Sequence, residues 1–308
     1  MCANEIMQWA NISSRIFIWD CKHQNCQTAR TFAPPTSLSS IQPLLCADQT
    51  NFQDYVQPFP NWLKVGQDIE WLAKHRVKGL FAQGSYASSG GDMDILKAYL
   101  VGTMLAPRPQ GRFTGLRTEA VVAAWLEAYF GRAAPMIQSY FDIMRGSLTN
   151  APTGHRTMTL GFSATEPFLK PMSMLLSAQA FKDARSSAKG KYRRRVDVAK
   201  LPVYSVILQR WTEMRNFSVA YNVPWPLEAT LQEAFAEWSR VCHQAGIWAV
   251  SSNCPLDCFR KLVFKSDDSQ VIKLVVGTDL GSHVSAGVSD GTAVDELRRL
   301  QQWHAEAS

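Results

Sequence analysis

The sequence predicts an α/β protein whose first part alternates strands and helices and whose middle part is mainly helical. A run of β-branched and aromatic residues at 15–20 predicts a buried strand, and a second apolar run at 77–84 follows helical spacing at 67–75. From Asp92 onward, apolar residues recur at helical spacing over several long segments. Because a helix followed by a strand is half of a βαβ unit, we expect a parallel sheet early in the chain.

The helical part is predicted from its periodicity, and the end of the chain returns to strands. The predicted helices are 93–105, 119–130, 135–144, 168–185, 202–216 and 227–245. The predicted later elements are strands at 246–251, 261–264 and 271–276 and a helix at 292–306. We therefore divide the chain into segments 1–105, 106–245 and 246–308.

The composition is that of a globular chain. Of the 308 residues, 46% are hydrophobic and 19% are charged. No window approaches the ~20 uninterrupted apolar residues of a membrane helix, so we expect no membrane partner. The net charge of +6 would indicate nucleic acid only if it were concentrated on one face.

The basic run Lys189-Gly-Lys-Tyr-Arg-Arg-Arg195 is the densest group of cations in the sequence. It could grip phosphate backbones, but no nucleic-acid motif accompanies it. We expect an exposed loop between helices and no nucleic-acid partner.

The seven cysteines form no regular disulfide framework, so the sequence leaves the compartment undecided. The cysteines at 21 and 26, with His23 between them, and the pair Cys254 and Cys258 superficially suggest a zinc site. Their spacings are not those of a zinc finger. We expect no metal and no cofactor.

Aromatic residues and side-chain amides alternate in the block 49–62 and again up to Tyr86. Rings offer flat apolar faces, and amides both donate and accept hydrogen bonds, which suits a polyhydroxylated ligand such as a sugar. The alternative is that Phe52, Tyr55, Phe59 and Trp62 are core and loop-anchoring aromatics. The residues alone leave both readings open.

Several short blocks, in order, resemble a bacterial-type family of glycoside-hydrolase-like proteins that is largely catalogued as a domain of unknown function. The blocks are Trp-Ala-Asn-Ile at 9–12, Ile-Trp-Asp at 18–20, Thr-Asn-Phe at 50–52, Pro-Phe-Pro-Asn at 58–61, Ala-Lys-His at 73–75, Gln-Gly at 83–84, Leu-Lys-Ala-Tyr at 96–99 and Tyr-Phe-Gly-Arg-Ala-Ala-Pro at 129–135. The family is similar to barrel enzymes that act as α-glucuronidases and β-hexosaminidases. The resemblance implies the C-terminal part of a TIM-like (β/α) barrel followed by a mainly helical domain.

The sequence departs from the family pattern in three places. Residues 21–48 intervene where the family joins its strand almost directly to the Thr-Asn-Phe block, so we expect a dispensable insertion. Ala82 stands where the family commonly carries an acidic residue. The family's first barrel strands would precede Met1, so we expect the chain to begin inside the barrel.

The resemblance implies a glycoside-hydrolase-like protein that acts on or binds a carbohydrate of the uronide or hexosaminide type and is inactive alone. The alternative is a non-catalytic carbohydrate-binding or protein-interaction module. Asp20 is the candidate catalytic acid, because active-site groups gather where barrel strands end. The expected sugar-binding residues on one concave surface are Trp19, Phe52 and Tyr86 as stacking rings and Asn51 and Gln83 as hydroxyl ligands.

Three further acids, Asp54, Asp92 and Asp94, lie in or near predicted loops. We expect them to be solvated or capping carboxylates, with Asp92 suited to the start of a helix.

Overall fold

The computed structural model describes residues 17–20, 42–74, 79–85, 90–106, 118–155 and 161–265. The contacts of the chain divide it into a unit Met1–Gln270 and a unit Val271–Ser308. The second unit lies outside the described residues, as do the strand and helix predicted at 271–276 and 292–306. The segment boundaries at 105 and 245 stay predictions.

A three-stranded parallel sheet forms from strands β1 (Phe17–Asp20), β2 (Gln42–Asp48) and β3 (Gly79–Gln83), in the order β1-β2-β3. Helix α1 (Trp62–Lys74) connects β2 to β3. This strand–helix–strand unit agrees with the predicted parallel sheet, since parallel neighbours require a crossover of this kind. The two predicted strands, β1 and β3, are not paired with each other because β2 lies between them.

The segment 21–48, whose dispensability stays a prediction, contains strand β2. The seven residues of this strand lie in the middle of the sheet, with Leu44 opposite both Trp19 and Gly79. Pro43, which lacks a backbone N–H, pairs only with β1 because β3 begins opposite the next residue. The apolar run Leu44-Leu-Cys-Ala47 was the sequence signal for this central strand. Residues 21–41 lie outside the described part of the chain.

Most of the described chain is helical. The helices are α2 (Asp94–Leu105), α3 (Thr118–Phe130), α4 (Ala134–Thr149), α5 (Pro171–Ser187), α6 (Lys191–Ala199), α7 (Leu201–Gln209), α8 (Trp211–Ala220) and α9 (Leu231–Gln244). A 3-10 turn, Gly131–Ala133, joins α3 to α4. Gly131 makes this tight junction possible because its φ of +58° lies in the left-handed region.

Three sequence predictions in the helical region were wrong in detail. The helix predicted at 202–216 is two helices, separated at Arg210. Residues 191–195 of the loop predicted at 189–195 are instead the start of α6. Residues 256–265 are helical, although 261–264 has the composition of a strand. Short apolar runs do not distinguish the two states by periodicity.

The end of the described chain is a small hairpin. Strands β4 (Ala249–Ser251) and β5 (Cys254–Pro255) pair antiparallel, and a disulfide joins Cys254 to Cys258. The disulfide uses both thiols of this pair, so they do not act as the zinc ligands considered above. Cys21, His23 and Cys26 lie outside the described residues.

An aromatic part of the core lies between the start of α1 and helices α4 and α5. Trp62 stacks on Phe141 with ring centroids 4.3 Å apart, and Tyr140 packs against Phe181 at 4.9 Å. Tyr55, Phe59 and Trp62 are 1%, 3% and 1% exposed, so these three aromatics of the 49–62 block belong to the core.

The coarser fold class, α/β with a mainly helical part, agrees with the structure. Within the described ranges the parallel strands form an open sheet of three, and no closed TIM barrel is seen. None of the helices there is long and apolar enough to cross a membrane.

Candidate functional site

The segment that follows β2, residues 49–61, carries a buried layer of polar side chains. These side chains, which are 0 to 8% exposed, are Gln49, Thr50, Asn51, Asp54, Gln57 and Asn61. Buried polar groups are costly unless they are hydrogen-bonded. The segment follows β2, a strand that the sequence analysis did not predict, and its polar side chains are buried in the protein.

The side chain of Asn51 makes four hydrogen bonds inside the protein. Its amide nitrogen donates to the Gln57 Oε1 at 3.1 Å and to the Phe162 carbonyl at 2.8 Å. Its oxygen accepts from the backbone N–H groups of Gln53 and Phe162 at 3.0 and 3.2 Å. These four bonds exhaust the capacity of a primary amide. Asn51 therefore holds the backbone at Phe162 against the strand-end segment. No hydrogen-bonding group of its side chain remains for the sugar hydroxyl predicted above.

A second group of buried polar side chains, Lys97 and Asp92, contacts the backbone of this segment. Lys97, which is 2% exposed, donates to the Gln49 carbonyl at 2.8 Å, and its Nζ lies 4.9 Å from the centre of the Phe59 ring. Asp92 accepts from the Phe59 N–H at 2.9 Å and from the Tyr140 hydroxyl at 3.0 Å. The expectation that Asp92 is a solvated or capping group was wrong.

Burial shifts the ionisation of these side chains. Desolvation raises the pKa of Asp92 to about 6, against the opposing charge of Lys97. Desolvation also lowers the pKa of Lys97, and Asp92 and Asp94 oppose that shift. The pKa of Asp94 is raised by its own burial. Asp94 thus interacts electrostatically with the buried ammonium group of Lys97.

Asp54 is a separate buried carboxylate. It accepts from the Val56 N–H at 3.0 Å and from the Gln209 side chain at 3.1 Å. Desolvation raises its pKa to about 7, although these hydrogen bonds lower it. Asp54 ties the strand-end segment to α7 and is not a solvated loop residue.

The predicted site residues on the sheet are not immediate neighbours. Trp19 and Asp20 end β1, and Gln83 ends β3, but β2 runs between them. They are two strand spacings apart, about 10 Å. Phe52 is half-buried with its ring edge toward Tyr55 at 6.0 Å, and Tyr86 lies outside the described residues. Their common concave surface stays a prediction.

A cavity of about 460 Å³ lies elsewhere, between the start of α2, the end of α3 and one side of α6. The residues that line it are Gly90, Gly91, Met93, Asp94, Ile95, Trp125, Tyr129, Phe130, Lys191, Arg194, Arg195, Val198, Ala199 and Ala245. One wall is aromatic, one wall is cationic, and Asp94 supplies a single carboxylate.

The aromatic and cationic walls contact each other through Tyr129. Its ring stacks on Trp125 with centroids 4.3 Å apart, and the Arg195 guanidinium lies 4.1 Å from its centre. Arg195 also donates to the Tyr129 carbonyl at 2.7 Å. These contacts hold Arg195 in place. Arg194, the next residue, is exposed and lines the cavity.

The wall from α2 contains unusual backbone. Met93, buried at 7% exposure, has a φ of +54°, and Gly90 has a φ of +108°. A non-glycine residue in the left-handed region is uncommon and is often found at functional sites. The Gly91 N–H donates to the Asp94 carboxylate at 2.7 Å, which fixes that side chain at the cavity wall.

Sequence reasoning missed this cavity because its walls come from three separate elements. Two signals were present. The basic run has cations at 191, 194 and 195, which is one face of a helix. The block beginning at Tyr129 was noted only for its resemblance. In the part of the chain that the structure describes, no group of three or more His, Cys, Asp or Glu residues could hold a metal ion.

The fold and the cavity together define a mainly helical α/β protein with a ligand-sized, aromatic and cationic cavity among its described residues. Residues 42–142 match a family described as a domain of unknown function (DUF4838). The match starts with β2 and ends within α4, and so includes the strand-end segment and the aromatic wall. No curated protein matches the chain.

Proposed function

We propose that this chain is a glycoside-hydrolase-like protein that binds carbohydrate without cleaving it, and that the cavity between α2, α3 and α6 is its binding site. The observation that supports this most is the pairing of an aromatic wall, Trp125 to Phe130, with polar groups on the facing walls. Sugars offer both apolar C–H faces and hydroxyl groups, so they need both kinds of wall.

The size of the cavity supports a small ligand. Its volume of about 460 Å³ is within the range of pockets that bind small molecules, roughly 300 to 1,000 Å³. A sugar of one or two rings is the part of a carbohydrate that such a volume accommodates. The uronide or hexosaminide type, and descent from a TIM-like barrel, belong to this proposal through the resemblance.

The carboxylates favour binding over hydrolysis. Glycoside hydrolysis generally needs two carboxyl groups on either side of the scissile bond. Asp94 is the one carboxylate among the residues that line the cavity. A second acid at the correct separation is missing from that set, so the non-catalytic alternative is the better fit.

A cavity-filling variant tests the proposal. Ala199 lines the cavity near the end of α6, and Ala199→Phe would occupy part of it. Ala123 on α3 is exposed and does not line the cavity, so Ala123→Phe is the matched control. Binding to a panel of neutral and acidic mono- and disaccharides is measured by calorimetry for the parent and both variants.

We expect the parent to bind at least one member of the panel, Ala199→Phe to weaken that binding by about tenfold or more, and Ala123→Phe to leave it unchanged. Equal binding by all three proteins would place the carbohydrate elsewhere. Failure of the parent to bind any sugar would refute the proposed function.

A further inference from the structure

We infer that the cavity is an anion-binding site whose cationic wall, Lys191 and Arg194 with Arg195 behind them, selects ligands that carry a carboxylate, sulfate or phosphate group. This inference deepens the proposed function, since it names the chemical class of ligand that the same cavity takes. It rests on the placement of the basic run on one face of α6.

The spacing of the three cations explains why they act together. Residues 191, 194 and 195 follow one another at i, i+3 and i+4, so they share a helix face, and all three line the cavity. Arg193, between them in sequence, is exposed and is not among the lining residues. The helix therefore presents some of its cations to the cavity and at least one elsewhere.

The outer two cations are exposed, and the Nζ of Lys191 lies over the Tyr192 ring at 5.2 Å from its centre. Arg195 is held by the carbonyl and ring of Tyr129. In the described part of the chain, the ion pairs involve other side chains, and neither Lys191 nor Arg194 takes part in one. Asp197, the acid of α6, is engaged by Arg185 at 2.5 Å. No carboxylate of this helix neutralises the wall.

The position of these cations is unfavourable for the helix itself. The start of a helix carries partial positive charge and favours acidic residues, but the first turn of α6 has no acid and begins with Lys191. Gly190, which precedes the helix, provides no side-chain cap. A bound anion would offset this repulsion, because it would interact with the cations and the helix start together.

The remaining charge at the cavity does not oppose an anion strongly. Asp94 is the single lining carboxylate, its oxygen already accepts from the Gly91 N–H, and Lys97 lies on its buried side. Three cations thus face one carboxylate, which is already hydrogen-bonded to the backbone.

The test compares charged and neutral probes on the full chain. Calorimetry measures the affinity for inorganic phosphate, glucose, glucose 6-phosphate and glucuronate, with circular dichroism as the check on folding. Arg194→Met removes a cation of the cavity wall, and Arg193→Met removes the neighbouring cation outside it.

We expect the acidic sugars to bind about tenfold or more tightly than glucose, as one or two charge-assisted hydrogen bonds would give. Arg194→Met should abolish that preference, and Arg193→Met should change each affinity by less than about twofold. Stronger binding of the phosphate or of the carboxylate sugar identifies which anion the wall prefers.

The outcomes separate this inference from the proposed function. Equal affinities for glucose and both acidic sugars would overturn the inference and leave carbohydrate binding intact. An equal loss in Arg193→Met and Arg194→Met would also overturn it, since general surface charge would then explain the binding. Binding of inorganic phosphate that depends on Arg194, without binding of any sugar, would support the anion site and refute the carbohydrate function.

Discussion

Lys97 is the residue on which the buried polar layer most depends. Its ammonium group is enclosed by the Gln49 carbonyl, the face of Phe59 and the charges of Asp92 and Asp94. A buried charge contributes to stability only through such partners, and the partners depend on it equally. The layer is therefore part of the scaffold that positions Asp94 at the cavity.

Replacing this lysine tests that role. Lys97→Met keeps the volume but leaves the Gln49 carbonyl without this donor and the two carboxylates without their cation. We expect the free energy of unfolding to fall by about 3 to 5 kcal/mol. Urea denaturation measures it, with Lys182→Met on the exposed side of α5 as control. A loss no greater than that of the control would contradict a structural role for Lys97.

Asp54 gives a prediction about pH. Its pKa in the folded protein is raised to about 7 from 3.8, so the folded state holds a proton that the unfolded state has released. The stability linked to Asp54 is therefore complete below about pH 4 and is lost as the pH rises through about 7. Asp68 and Asp92, each raised to about 6, act in the same direction.

Asp54→Asn should remove this dependence at one site. The free energy of unfolding of the parent, minus that of the variant, should decrease by up to about 1.4 kcal/mol per pH unit across this range. Urea denaturation at about pH 5 and about pH 8 measures the change, and the exposed Asp257→Asn is the control. A difference that is constant with pH would show that Asp54 ionises normally.

Strand β2 is the central strand, and both pairings of the three-stranded sheet depend on it. Because it pairs with β1 on one side and β3 on the other, its backbone groups serve two ladders. The Gln49 N–H, just beyond its end, donates to the Gln83 carbonyl at 2.8 Å and continues the pairing toward the strand-end segment.

A proline in this strand tests the pairing. Leu45 lies opposite both Asp20 and Leu80. Leu45→Pro removes an N–H from the middle of the sheet and should lower the free energy of unfolding by about 3 kcal/mol or more. Leu45→Val keeps the N–H and should cost less than about 1.5 kcal/mol. Equal thermal midpoints for the parent and Leu45→Pro would show that the pairing of 42–48 does not stabilise the fold, as expected if the segment 21–48 is dispensable.

The elements also show what the sequence could predict. Long, mostly apolar helices such as α2 and α3 were located to within one residue, because apolar residues at helical spacing continue over three turns or more in each. Strand β2 was missed because its short apolar run follows a segment without periodicity. The role of Asn51 depends on Phe162, 111 residues away, and no local pattern reports such a contact. The cavity was missed for the same reason.

At the scale of the whole molecule, the structure separates a buried polar scaffold at the strand ends from a cavity among the helices. The scaffold accounts for the polar residues that first suggested a sugar site, and the cavity offers a binding surface of its own. The two are connected through Asp94, which lines the cavity and interacts with Lys97.

This arrangement predicts binding without turnover. The purified chain should release no product from a panel of aryl glycosides and uronides, because the cavity supplies one carboxylate where hydrolysis needs two. Asp20→Asn and Asp94→Asn are assayed beside it. Turnover that Asp20→Asn abolishes would make Asp20 catalytic, and turnover that Asp94→Asn abolishes would make the cavity an active site.

Fluorine NMR of the chain labelled with 5-fluorotryptophan tests the central claim most directly, because Trp125 lines the cavity and Trp19 lies in β1. The two resonances are assigned with Trp125→Phe and Trp19→Phe and followed during titration with the sugar that binds best. We expect the Trp125 resonance to shift in a saturable way while the Trp19 resonance stays unchanged. A saturable shift of Trp19 without a shift of Trp125 would contradict the account and return the binding site to the strand ends.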